Sequence, residues 1–153
     1  MEDVVMSFYS KFKELKAIEE KLINWDLSIV EGGGEFIKSI NGGYGHIELK
    51  IYSDNREKVI WSVSEKQLPD IYKIKEHIID TIKTFHGHLV ALRGENLNLV
   101  YEVTKSSFHA IDSHPQYYAI ATIYAIINCF DKSYREFDSE KIMKRATTWG
   151  SNL

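Results

Sequence analysis

Residues 35–51 read Glu-Phe-Ile-Lys-Ser-Ile-Asn-Gly-Gly-Tyr-Gly-His-Ile-Glu-Leu-Lys-Ile, and the pattern changes direction in the middle. In the second half, Ile47, Leu49 and Ile51 fall on one side and His46, Glu48 and Lys50 on the other. That is the period of a strand in a sheet covered on one face. Asn41-Gly42-Gly43 supplies a dense turn signal, so the spacing predicts a β-hairpin with strands over residues 35–40 and 46–52.

Upstream, Val5, Phe8, Phe12, Leu15, Ile18 and Leu22 recur at three- and four-residue spacings, which predicts an amphipathic helix ahead of three glycines, Gly32 to Gly34. Downstream, Lys58 to Val63 reads as a strand. Ser64-Glu65-Lys66-Gln67 has capping-box spacing and Pro69 suits a first turn; Ile71, Ile74, Ile78, Ile82 and Phe85 then form an apolar stripe, predicting a helix that ends at Gly87. Leu97, Leu99, Tyr101 and Val103 alternate with Asn98, Val100, Glu102 and Thr104, which is strand periodicity. Asp112 or Ser113 is the expected cap before Pro115, and Tyr118 to Phe130, apolar nearly all round, predicts a central helix lying on the sheet. The tail from Asp131, with Lys132, Arg135, Lys141, Lys144 and Arg145, predicts one more short helix. No repeat or long polar linker divides residues 1–153, so a single domain is expected, an α+β two-layer sandwich with its helices on one face of the sheet.

Composition narrows the function without assigning it. The 44% hydrophobic and 27% charged residues are those of a folded domain. No run reaches the roughly 18 apolar residues of a membrane span, and Met1-Glu2-Asp3 lacks the layout of a secretion signal, so a cytoplasmic protein without membrane partners is expected. Cys129 is alone and has apolar neighbours, which suits an inert thiol. A net charge of -3 is not the footprint of an autonomous nucleic-acid binder.

The chemical motifs are few. No P-loop occurs, and Gly42-Gly43-Tyr44-Gly45 lacks dinucleotide-binding spacing; these glycines suit a tight turn or a close approach to a phosphate or base. His86, His88, His109 and His114 would have to converge to hold zinc, and no paired cysteines or His-Glu-x-x-His accompany them, so neither metal nor cofactor is expected. His109 with Asp112 suggests a cap before it suggests acid–base work, and no nucleophile elbow is present; no enzyme is expected.

Two loops carry a family resemblance. Glu35 to Lys38 followed by Asn41-Gly42-Gly43-Tyr44-Gly45-His46 resembles the opening of domain IV of translation elongation factor G, where a strand and a loop ending in Gly-Gln-Tyr-Gly-His precede a second strand. Residues 100–113, Val-Tyr-Glu-Val-Thr-Lys-Ser-Ser-Phe-His-Ala-Ile-Asp-Ser, are similar to the family's strand, loop and Tyr-His-x-Val-Asp-Ser helix entrance. Tyr118, Ala121 and Ala125 fall where the family's helix faces its sheet. The resemblance covers about residues 33–130, leaving residues 1–30 and the tail from Asp131 without a counterpart. It implies a ribosomal protein S5 domain 2-like sandwich with a four-stranded sheet, to which the N-terminal helix read from the apolar spacing is an addition.

In that family the two loops form the tip that enters the ribosomal decoding centre. The resemblance therefore implies a contact surface made of Asn41, Gly42, Gly43 and Tyr44 with Lys105, Ser106, Ser107, Phe108 and His109. Tyr44 and Phe108 would stack on bases, and His109 would hydrogen-bond to phosphate or base. The family's GTPase domain has no counterpart here. Gly43 stands in place of glutamine, Asn41 in place of a frequent arginine, and Lys105-Ser106 in place of Asp-Gly. The implied function is non-enzymatic binding of the ribosome, its RNA or a translation component. The alternative is a module for a single protein partner, such as a toxin-neutralising immunity protein or a regulatory subunit, which the net acidity suits.

Overall fold

The computed structural model describes residues 13–40 and 42–150. Four strands, β1 (Val30–Ile37), β2 (Tyr44–Ser53), β3 (Lys58–Trp61) and β4 (Leu99–Ser106), form one mixed sheet in the order β1-β2-β4-β3. β2 runs antiparallel to both β1 and β4, while β3 lies parallel to β4 and reaches it through a helical crossover. The fold is α+β, as expected.

The hairpin forms, but its first strand begins at Val30 and runs through all three glycines. Glycine carries no hydrophobic signal, and here the missing side chain is what the packing requires. A Cβ on Gly32 or Gly34 would stand under 3.0 Å from backbone atoms of Ala125 and Cys129, or of Ala121 and Ala125. A Cβ on Gly45 would meet the backbone of Tyr117 and Tyr118 equally closely. These partners belong to the central helix, α3 (Pro115–Phe130), which lies directly on β1 and β2. Pro115 occupies its first turn and His114 the N-cap, with no capping side chain from Asp112 or Ser113. Tyr44 instead holds the Asp112 carbonyl, and the Ser113 hydroxyl accepts from the His109 N–H at 2.8 Å.

The second long helix, α2 (Ile74–Arg93), starts later and ends later than the sequence suggests. The capping box is real: Gln67 N–H donates to Ser64 Oγ at 3.1 Å and Ser64 N–H to Gln67 Oε1 at 3.3 Å. It closes a single turn, and two left-handed residues, Tyr72 and Lys73, intervene before the helix begins. Gly87 lies within α2 with open space around its Cβ position; Gly94, at φ +68°, makes the left-handed stop. Ile78, Ile82, Phe85 and Leu89 bury one stripe, and Phe85 meets Tyr101 of β4 edge-on. Most of the N-terminal helix expected over residues 2–22 lies outside the described residues. Its described end is a 3-10 turn, Glu14–Ile18, followed by α1 (Glu19–Ile23). Leu15, Ile18 and Leu22 are buried in the chain's own core, and Arg93 holds the carbonyls of Leu22, Ile23 and Trp25.

The tail forms α4 (Ser139–Gly150), and here the expectation of helices on one face of the sheet is corrected: α4 packs on the face opposite α3, because polar and aromatic side chains of β1 and β2 turn that way and give it partners. Odd-numbered β1 residues and even-numbered β2 residues face away from α3. It is this second face that the tail reaches: Phe137 covers Gly33, Ser139 donates to Glu48 and Arg145 pairs with Glu35.

Two glycines separate close packing from helix propensity. Gly34→Ala is expected to lower the unfolding free energy by about 2–4 kcal/mol, because the rigid backbone of α3 cannot yield. Gly87→Ala, exposed in mid-helix, is expected to raise it by about 0.5–1 kcal/mol. Urea titration of both variants checks the pair, and a tolerated Gly34→Ala would contradict the close approach.

Candidate functional site

The glycine loop and the histidine loop meet at one end of the sheet. Tyr44 N–H donates to the Asp112 carbonyl at 2.8 Å, Tyr44 and Ser113 form a β-bridge, and a Cβ on Gly42 would collide with the Asp112 carboxylate. Gly42 is left-handed, at φ +73°. The Gly43 carbonyl closes the first loop by accepting from Lys38 N–H at 2.9 Å, while its Cβ position is enclosed by Lys38 and Tyr117. Both glycines thus serve the loops' own packing. Asn41 lies outside the described residues.

Tyr44 is enclosed, with 3% of its surface exposed. Its ring meets the edge of Trp149 at 4.9 Å, and His109 meets the same indole at 4.9 Å. A base cannot stack on Tyr44 while α4 lies over it. The Tyr44 hydroxyl bonds to Ser107 Oγ at 2.7 Å and donates to Glu35 at 3.0 Å, and burial pushes its pKa up. Phe108 is half-buried against the core. His109 is half-exposed; its Nδ1 accepts from the N–H groups of Ile111 and Asp112 at 3.3 and 3.1 Å, so its other ring nitrogen carries the proton in the neutral form. Lys105 is exposed on β4 and paired in register with Glu48, next to a register shift that leaves Thr104 as the extra residue. Ser106 is buried, its hydroxyl donating to the His46 carbonyl at 2.6 Å.

Beneath the two loops runs a buried polar chain that the sequence reading missed. Ser107 Oγ lies 2.8 Å from His46 Nδ1, and His46 Nε2 lies 2.8 Å from Glu48 Oε2. A carboxylate only accepts, so His46 Nε2 carries a proton on the Glu48 side. Hydroxyl, imidazole and carboxylate in this order also make a nucleophilic relay in hydrolases. Here His46 is fully buried and Ser107 is 2% exposed, and each has further partners: Tyr44 on the serine, Phe137 beside the imidazole, Ser139 on Glu48. The usable signal was parity, since Tyr44, His46 and Glu48 share the strand face opposite Gly45, Ile47 and Leu49.

The expected histidines do not converge. His86 bonds to Tyr101 and approaches Glu57, His88 approaches Glu19, and His109 approaches Asp112. Among the described residues no group of three or more metal-ligating side chains is assembled, and no helix is long and apolar enough to cross a membrane. A groove of about 540 Å³ opens beside the histidine loop, lined by Pro69, Phe108, Ala110 and Met143.

Burial alone would raise the Glu48 pKa, but hydrogen bonds from His46 and Ser139 and the charges of His46 and Lys105 outweigh it, holding the carboxyl below its ordinary 4.5. The unfolded chain therefore takes up this proton first as pH falls. The stabilisation is complete above pH 4.5 and is lost as pH drops through the lower native value. Glu48→Gln is expected to be less stable than the parent near neutrality, with the gap closing in acid. Denaturant midpoints measured across that range check it, and a constant gap would contradict it.

No family model matches the chain, and no curated protein does. Among solved structures it is similar to the crystal structure of ttk003000868 from Thermus thermophilus, with a TM-score of 0.58 and 22% identity. The match covers 69% of this chain, which spans 16% of that protein, and the likeness is one of fold.

Proposed function

We propose that this chain is a non-enzymatic binding protein that presents its two joined loops to the ribosome or to another translation component, as the resemblance to elongation factor G domain IV implies. The observation that carries the reading is the 2.8 Å bond from Tyr44 N–H to the Asp112 carbonyl, which holds the glycine and histidine loops together as one tip. Loops fixed by a rigid scaffold lose little freedom on binding. The loop chemistry reads as contact chemistry. Lys38 is exposed and the half-exposed His109 carries a ring N–H, both able to meet phosphate or carbonyl groups. The enclosure of Ser107 and His46 favours a bracing role for the polar chain over catalysis.

A second reading, a module for one protein partner such as an immunity protein or a regulatory subunit, is favoured by the burial of Tyr44 and by the net charge of -3.

Ribosome co-sedimentation tests the leading reading. The full chain is expected to pellet with ribosomes at low salt and to be released as salt rises. Lys38→Glu combined with His109→Ala is expected to weaken pelleting at least about tenfold, and Lys38→Glu alone, at an exposed side chain, to weaken it in part with the thermal midpoint unchanged. Absence from the pellet at low salt would reject it.

A further inference from the structure

Among the described residues, the tip ends in exposed aliphatic side chains. Ile40, in the first loop, is 74% exposed, and Ile111, in the second, is 78% exposed. Ile37, at the end of β1 and three residues before Ile40, is 53% exposed. The loops that carry them are braced. Lys38 N–H to the Gly43 carbonyl closes one, Ser113 N–H to the His109 carbonyl at 3.0 Å closes the other, and Tyr44 with Asp112 ties the two together. Large apolar side chains held out on a stiff support lose contact with water without a large ordering cost when a partner covers them.

The surroundings select the partner's class. The tip continues into the groove lined by Pro69, Phe108 and Ala110, so protruding knobs adjoin an apolar hollow. The Asp112 carboxylate stands within the tip, against Gly42, and the whole chain carries a net charge of -3. Phosphate-rich ligands need an excess of cations, and base stacking needs open aromatic faces; Tyr44 offers none. We infer that the tip docks on a folded protein, inserting Ile40 and Ile111 into an apolar pocket while the groove receives an apolar side chain from that partner. This inference rests on the two-loop reading and names the chemistry of its partner.

Site-directed photo-crosslinking in the full chain tests it, with benzoylphenylalanine introduced in native cells at Ile40, at Ile111 or, as a control, at Ile29. Ile29 is 62% exposed and precedes β1, at the opposite end of that strand. The expected result is an adduct with one and the same protein from positions 40 and 111 and none from 29, mapping to apolar residues of that protein. With the partner identified, Ile40→Asp and Ile111→Asp are each expected to weaken its binding at least about tenfold, with an unchanged thermal midpoint. Adducts with RNA at the tip would overturn the protein pocket but leave the two-loop reading standing. Adducts confined to position 29 would overturn both. Adducts with a second copy of this chain, or no adduct from the tip, would overturn the inference.

Discussion

Helix α3 can rest on β1 and β2 because Gly32, Gly34 and Gly45 present no side chain beneath it. A helix normally stands on a sheet at a distance set by two layers of side chains, and here one of those layers is missing along a diagonal. The approach brings the N-terminal end of α3, and with it the segment from His109 to His114, against the start of β2. Tyr44 then reaches the Asp112 carbonyl, and the two loops become neighbours. The site is thus a consequence of three absent Cβ atoms as much as of any polar residue within it.

The same closeness explains why the polar chain from Glu35 through Tyr44, Ser107 and His46 to Glu48 lies where it does. With α3 covering one face, the alternate residues of β1 and β2 turn to the other, and there the tail from Asp131 to α4 closes over them. Arg145 meets Glu35 and Ser139 meets Glu48, so both carboxylates at the ends of the chain are held. Ile142 is the buried apolar anchor of α4, and Trp149 lies across Tyr44 and His109. The covering is therefore built more from polar and aromatic edge contacts than from a buried apolar stripe.

What was legible in the sequence was whatever alternates or repeats in apolar side chains. Ile47, Leu49 and Ile51 announced β2, Tyr118 to Phe130 announced a central helix, and the stripe through Ile78, Ile82 and Phe85 announced α2. What escaped was carried by residues without such a signal. Gly32 to Gly34 read as a gap between elements although they are strand, since hydrophobic periodicity does not register a glycine. Gly87 read as a helix stop and Gly94 did not, because φ and not residue type makes the stop. The pairing of the two loops followed from motif order, but the enclosure of Tyr44 depends on where the tail goes. Ile142, Arg145 and Trp149 lie on one side of α4 at helical spacing, a pattern too mixed in polarity to reveal which face of the sheet it would cover.

Cys129 stands at the far end of the close contact, its backbone N–H facing Gly32, and burial pushes its thiol up to about 12. A sulfur so enclosed and so firmly protonated is inert to alkylating reagents until the helix lifts from the strand. The molecule thereby contains a native clock: the rate at which its single thiol becomes modifiable reports how often the tightest seam in the fold comes apart.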